Sequence, residues 1–330
     1  MHPLADALAT RAAATAFSGV VAITRDGERE YDVAFGLADR AMATPNTVGT
    51  GFAIASGTKT FTALAVLQLV DAGTLSLTTP ARAILGADLP LVDDRVTVEH
   101  LLAHRSGIGD YFNESLVTAD EFVLPVPPRT LDHQEAWLPV LDGHPQVSAP
   151  GETFAYNNAG FVLLALIAER VSGVRYTTLV ETRVCAPAGM TATGFHPADR
   201  QPPNHAVGYL DDGRQNAAVM PQLGGGDGGL STSLDDVDRF WAAWYDDRIV
   251  TGALRFAMTR PHSDPPQHAA RYGLGCWLDP TGPAVTLEGC DAGISFRSVH
   301  DPTRDLTFTV MSNTTDGAWP LARLLAEELG

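Results

Sequence analysis

The sequence predicts an α+β fold in which an antiparallel sheet is flanked by helices and carries an inserted all-helical domain. Two observations predict it. Runs rich in β-branched and apolar residues occupy the first 36 positions and return after Gly273, whereas from Leu75 to about Leu223 the pattern is helical or irregular and often broken by Pro and Gly. Strand-bearing ends must meet to share a sheet. The expected organisation is therefore a discontinuous α/β domain over 1–74 and 225–330, a mainly helical domain over 75–224, and a cleft between them.

The elements follow in order. Phe17 to Thr24 and Glu30 to Gly36 read as strands joined by a hairpin turn at Arg25-Asp-Gly-Glu28. Apolar Phe61, Leu64, Ala65 and Leu69 recur at helical spacing between Gly57 and Ala72, and Gly73 closes the helix. Helices are expected over Val98–Ala103, Asn158–Val171 and Tyr176–Val184, with no regular strand between Leu75 and Leu223. Ser233 caps a helix over Leu234–Asp246, with Asp235 and Asp236 in the first turn, where the helix dipole favours acids. Strands are expected over Gly273–Leu278, Ala284–Glu288, Ile294–His300 and Leu306–Ser312, then a helix over Trp319–Leu329.

Composition bounds the function. The chain has 330 residues, 45% of them hydrophobic, enough for a large core, and a formal charge of −17. That charge repels phosphate backbones and anionic membranes, so the expected partner is a small molecule or short peptide, with no nucleic acid and no membrane. Nothing in the sequence specifies an oligomeric state. Cys185, Cys276 and Cys290 are odd in number and widely spaced, which reads as reduced thiols. The first residues carry an acid and no apolar stretch, so no leader peptide is expected and the expected location is cytoplasmic.

The cations are lopsided, with 21 arginines and a single lysine, Lys59. Arginine stays charged, whereas lysine can give up its proton when its pKa is lowered. That one lysine lies three residues after Ser56, at the start of a long apolar helix, so its amine can reach the serine hydroxyl. The helix N-terminus also leaves the Ser56 amide free to face a developing oxyanion. Tyr156-Asn157-Asn158 precedes a second apolar helix; a tyrosine beside the lysine, as phenolate or by sharing a proton, could act as base for the serine. Asn158 could orient lysine and substrate. Taken alone, the segment is better read as a buried tyrosine and a helix-capping asparagine.

These motifs resemble the serine β-lactamase and penicillin-binding protein superfamily, in particular its class C-like branch, which includes D-aminopeptidases and esterases. Ser56-x-x-Lys59 and Tyr156-x-Asn158 are joined by His100-Leu-Leu-Ala-His104-Arg-Ser-Gly107-Ile and by Pro150-Gly-Glu-Thr-Phe-Ala-Tyr156. Gly228-Gly-Leu-Ser231-Thr-Ser-Leu-Asp235 is similar to the branch's Gly-Gly-Leu turn, so the run Gly224–Gly229 reads as a turn and not a phosphate cradle. His100 and His104 lack a zinc signature and read as packing or capping residues.

The resemblance implies an acyl-enzyme on Ser56 with Lys59 and Tyr156 as its proton-handling pair, and no metal or organic cofactor. Its third motif carries a cation, Lys-Thr-Gly or His-x-Gly. Here the matching segment is Leu287-Glu288-Gly289, with no cation. In that register Gly289 lets substrate pass close to the strand, and the Cys290 amide completes the oxyanion hole with that of Ser56; Cys290 itself is structural. Without the cation, a carboxylate-recognising role loses its partner. Glu288 and Asp291 would favour a neutral or amine-bearing substrate if they face the cleft, and strand alternation leaves an outward Glu288 equally open. Three functions are weighed: an esterase or amide hydrolase, which the missing cation favours; a β-lactamase or D-Ala-D-Ala carboxypeptidase; and a binding or sensor protein on the same fold. The segment Glu114 to Pro145 is expected to set the substrate.

Overall fold

A computed structural model describes residues 3–114, 116–265 and 269–330. Its main sheet has seven antiparallel strands: β1 (Gly19–Arg25), β2 (Glu28–Phe35), β3 (Arg271–Tyr272), β4 (Trp277–Leu278), β5 (Val285–Asp291), β6 (Ile294–Asp301) and β7 (Leu306–Ser312). Their spatial order is β2-β1-β7-β6-β5-β4-β3. The two ends of the chain meet where β1 pairs with β7, with Gly19 opposite Ser312 and Arg25 opposite Leu306. Asp26 and Gly27 both have positive φ, the backbone a two-residue hairpin turn requires.

Both faces of this sheet are covered. On β1, Val20 and Ala22 point into one core with Phe61 and Phe240, while Val21 and Ile23 point into another with Leu8, Leu321 and Leu325. That is why β1 reads as a continuous apolar run. The second core lies under helices α1 (Ala5–Ala14) and α6 (Ala318–Leu329). The first contains α2 (Thr58–Asp71), α3 (Val98–Leu102), α4 (Asn158–Ser172) and α5 (Leu234–Tyr245).

Three differences from the sequence reading have physical reasons. Helix α1 was not expected, because Leu4 at its N-cap offers no side-chain hydrogen bond to mark a start. The strand expected over Gly273–Leu278 is a tight hairpin of two-residue strands, with Gly275 at φ +83° between them. Gly194–Phe195 is a short strand within the segment expected to have none. It pairs with Leu230–Thr232, which pairs with Phe52–Ala53. Two residues are too few for periodicity to show. This small sheet, with the Ile54 amide donating to the Leu230 carbonyl at 3.0 Å, anchors the turn that carries Ser56.

Candidate active site

Ser56 lies in a single 3-10 turn, Ala55–Gly57, that runs into α2. Ala55 is held at φ +46°, a conformation that costs a non-glycine residue strain and is found where surroundings over-determine the backbone. One turn on, Lys59 is only 2% exposed. Its Nζ lies 2.8 Å from Ser56 Oγ, 2.8 Å from Asn158 Oδ1 and 3.1 Å from the carbonyl of Asp227. Burial pushes the Lys59 amine below its ordinary pKa, against the opposing fields of Asp227, Glu114, Asp110 and Asp291.

Tyr156 and Asn158 arrive on the approach to α4. The Asn157 side chain caps this helix by accepting from the Gly160 amide, and the Asp110 carboxylate accepts from the Asn158 and Ala159 amides at 2.7 and 2.9 Å. Lys59 Nζ lies 4.9 Å from the centre of the Tyr156 ring, and the Tyr156 hydroxyl bonds Ser56. Burial raises the Tyr156 phenol well above its usual pKa, with Glu114 and Tyr272 adding to the rise. That direction favours the neutral phenol over the phenolate considered from sequence. His104 packs 4.4 Å from the Tyr156 ring; its Nδ1 accepts from the Asn157 amide, leaving Nε2–H for the Tyr272 hydroxyl. His100 belongs to a capping box on α3 with Thr97. Among the described residues no group of three or more His, Cys, Asp or Glu is placed to hold a metal ion.

The end of β5 forms the opposite wall. A Cβ on Gly289 would lie 2.1 Å from the Ile54 carbonyl oxygen and 2.7 Å from the Ser56 amide nitrogen, so only glycine lets this strand approach the serine turn. Leu287, where the family resemblance calls for a cation, is buried in the apolar core. The Cys290 thiol donates to the Thr315 carbonyl, and burial pushes it up to about 12, which leaves it an inert thiol. All three cysteines are free. Glu288 is committed elsewhere: it pairs across the strand with Arg297, whose Nε donates to it at 2.6 Å. Asp291 instead lines the cavity at Ser56, and burial raises its carboxyl to about 7.

That cavity holds about 750 Å³, and its described lining includes Asp39, Glu114, Asp199, Asp227 and Asp291 but no Lys or Arg. Asn158 links the acid wall to the lysine, donating to Glu114 at 3.0 Å while accepting from Lys59. Tyr111 donates to the Asp227 carboxylate. Beside these acids Tyr111, Phe112, Phe122 and Trp137 give an aromatic wall, to which Leu124 adds an aliphatic side chain. Sequence reading took Asp227 only as part of a glycine turn. Its signal was available: it is the sole side chain in Gly224–Gly229. A Cβ on Gly226 would lie 2.0 Å from the Phe161 carbonyl, so the bare backbone is what brings Asp227 against α4 and Lys59.

Residues 4–329 match the β-lactamase family. The chain belongs to the β-lactamase family. Among solved structures, the penicillin-binding protein of Bacillus halodurans superposes with a TM-score of 0.91 at 34% identity, covering 98% of this chain and 100% of that one. Esterase EstB of Burkholderia gladioli is 38% identical over 58% of this chain and 50% of its own length. A D-aminopeptidase of Gluconobacter oxydans is 28% identical over 94% of this chain and 59% of its own length. The chain spans 50% to 63% of the length of the first curated relatives it matches. No helix among the described residues is long and apolar enough to cross a membrane.

Proposed function

We propose that this β-lactamase-family chain is a serine hydrolase that forms an acyl-enzyme on Ser56 and acts on esters or amides whose acyl part carries an amine. The observation that supports the chemistry is the 2.8 Å contact between Ser56 Oγ and a desolvated lysine amine. In its neutral form Lys59 takes the serine proton as Oγ attacks the carbonyl. The charge that develops on oxygen is met by the Ser56 and Cys290 amides. Tyr156, a neutral phenol bonded to Ser56, passes a proton on to the leaving group, and water then releases the acyl group by the reverse relay.

The substrate class rests on the cavity lining, which carries five acids and no Lys or Arg among its described residues. An ammonium entering there finds charge-assisted acceptors in the lining it shares with Ser56, where Glu114, Asp227 and Asp291 lie. The aromatic wall adds room for an apolar side chain and cation–π contact. A free carboxylate, as in a β-lactam or a D-Ala-D-Ala terminus, finds no cationic partner in that lining. The names of the esterase and D-aminopeptidase relatives agree with this reading. It is tested by comparing alanine and phenylalanine p-nitrophenyl esters and amides with their des-amino counterparts and with a chromogenic cephalosporin. Preference for the amine-bearing compounds is expected; equal or better turnover of the des-amino esters or the cephalosporin overturns the substrate assignment.

A further inference from the structure

Lys59 sits among acidic side chains whose fields oppose the burial that lowers its pKa. Its own turn supplies only Ser56; α4 and its approach supply Tyr156 and Asn158; and the turn that follows α3 supplies His104, buried and neutral. The segment that follows brings Asp110 and Glu114, the glycine turn brings Asp227, and the end of β5 brings Cys290, a thiol, and Asp291. Four carboxyl groups thus surround one amine. The β5 position at which the family resemblance calls for a second cation holds Leu287, buried in the core. In the empty cleft these acids act against the burial that lowers the Lys59 pKa, and so favour retention of the proton that Lys59 must lose before it can accept one from Ser56.

We propose that the substrate's own ammonium switches Lys59 on. Held by Asp227, Glu114 and Asp291, it offsets the carboxylate charge that retains the lysine proton, and so does the electrostatic work of the missing cation. The inference rests on the amine-bearing substrate class proposed above. The switch is a proton transfer alone: as the ammonium docks, one Lys59 N–H bond breaks and its proton passes to water, and the neutral amine is left 2.8 Å from Ser56 Oγ. The geometry suits this because Asn158 and Asp227 each touch Lys59 directly while presenting, at their other ends, the Glu114 and Asp227 carboxylates to the cavity. The outcome is a hydrolase whose base is free only when the correct class of substrate is bound.

A single lysine makes the test direct, since protein labelled with carbon-13 at lysine Cε gives one resonance, that of Lys59. The titration midpoint of this signal is measured in the Ser56→Ala variant alone, saturated with phenylalaninamide trimethylated at its amine, and saturated with neutral 3-phenylpropanamide. The trimethylated compound carries a charge that does not itself titrate. The expected result is a midpoint lowered by at least one pH unit by the cationic amide, tenfold more free base at a given pH, with no change for the neutral one. The Asp227→Asn/Asp291→Asn double variant should start from a lower midpoint and respond less. If the cationic amide binds and the midpoint stays put, the switch is wrong and amine recognition stands. If it fails to bind in preference to the neutral amide, the proposed substrate class fails and the switch with it.

Discussion

Replacing Asp291 by asparagine should stabilise the protein at neutral and alkaline pH while leaving it unchanged in acid. The carboxyl is raised from its ordinary 3.8 to about 7, first by burial and then by the fields of Asp227 and Glu114. A carboxyl whose pKa is higher folded than unfolded contributes stability that is fully present below the unfolded pKa. That contribution is lost as pH rises through the folded pKa. The window is therefore pH 4 to 7. About three pH units at roughly 1.4 kcal/mol each give an upper figure of about 4 kcal/mol, and water in the cavity it borders reduces this to about 2–4 kcal/mol. Asparagine keeps an acceptor for the Ala292 amide, which the aspartate holds at 2.8 Å. Urea unfolding of both proteins at pH 4.5 and pH 8 measures the effect, because groups common to both cancel. The gap in unfolding free energy should open by that amount in favour of Asn at pH 8. Parallel pH dependences would refute the placement of a desolvated carboxylate at the mouth of the site.

Other perturbations follow from the same geometry. Lys59→Arg keeps the charge but cannot give up a proton, so kcat/KM for an ester should fall by about 10²–10⁴-fold, nearly as far as in Lys59→Ala. Activity within a few-fold of wild type would mean that charge alone matters there. Gly289→Ala forces a methyl against the Ile54 carbonyl and the Ser56 amide. It should cost about 1–3 kcal/mol in a thermal melt and depress turnover more than substrate binding. Glu288→Gln, by contrast, breaks only a partly exposed pair with Arg297, so stability should change by about 1 kcal/mol or less with kcat/KM unchanged.

The serine end of the site was legible because its parts are local. Ser56 and Lys59 are one helical turn apart, so spacing says that they can meet; Tyr156 and Asn158 share a three-residue segment, which the family resemblance joins to them. The acid wall was not. Asp110, Glu114, Asp227 and Asp291 converge from a loop after α3, a glycine turn and a strand end, and no periodicity links them. The placement of Glu288 illustrates a missed inference of a different kind. Alternation along β5 could not say which way it faced, but the hairpin could: Asp291 opposes Ile294, so Glu288 must oppose Arg297, an oppositely charged cross-strand partner. The five longer strands of the main sheet were read well because each runs to seven or eight residues, enough for a pattern to show. The three-stranded sheet behind Ser56 was not, since each of its strands is only two or three residues long.

The central claim is that Ser56 is the nucleophile and that Lys59 activates it. Intact-protein mass spectrometry after exposure to a fluorophosphonate tests it most directly, with wild type, Ser56→Ala and Lys59→Ala run side by side. One phosphonyl adduct located on Ser56 is expected in wild type, none in Ser56→Ala, and labelling about 10²-fold slower or more in Lys59→Ala. An adduct on another residue, or equal labelling of the Ser56→Ala variant, would contradict the account.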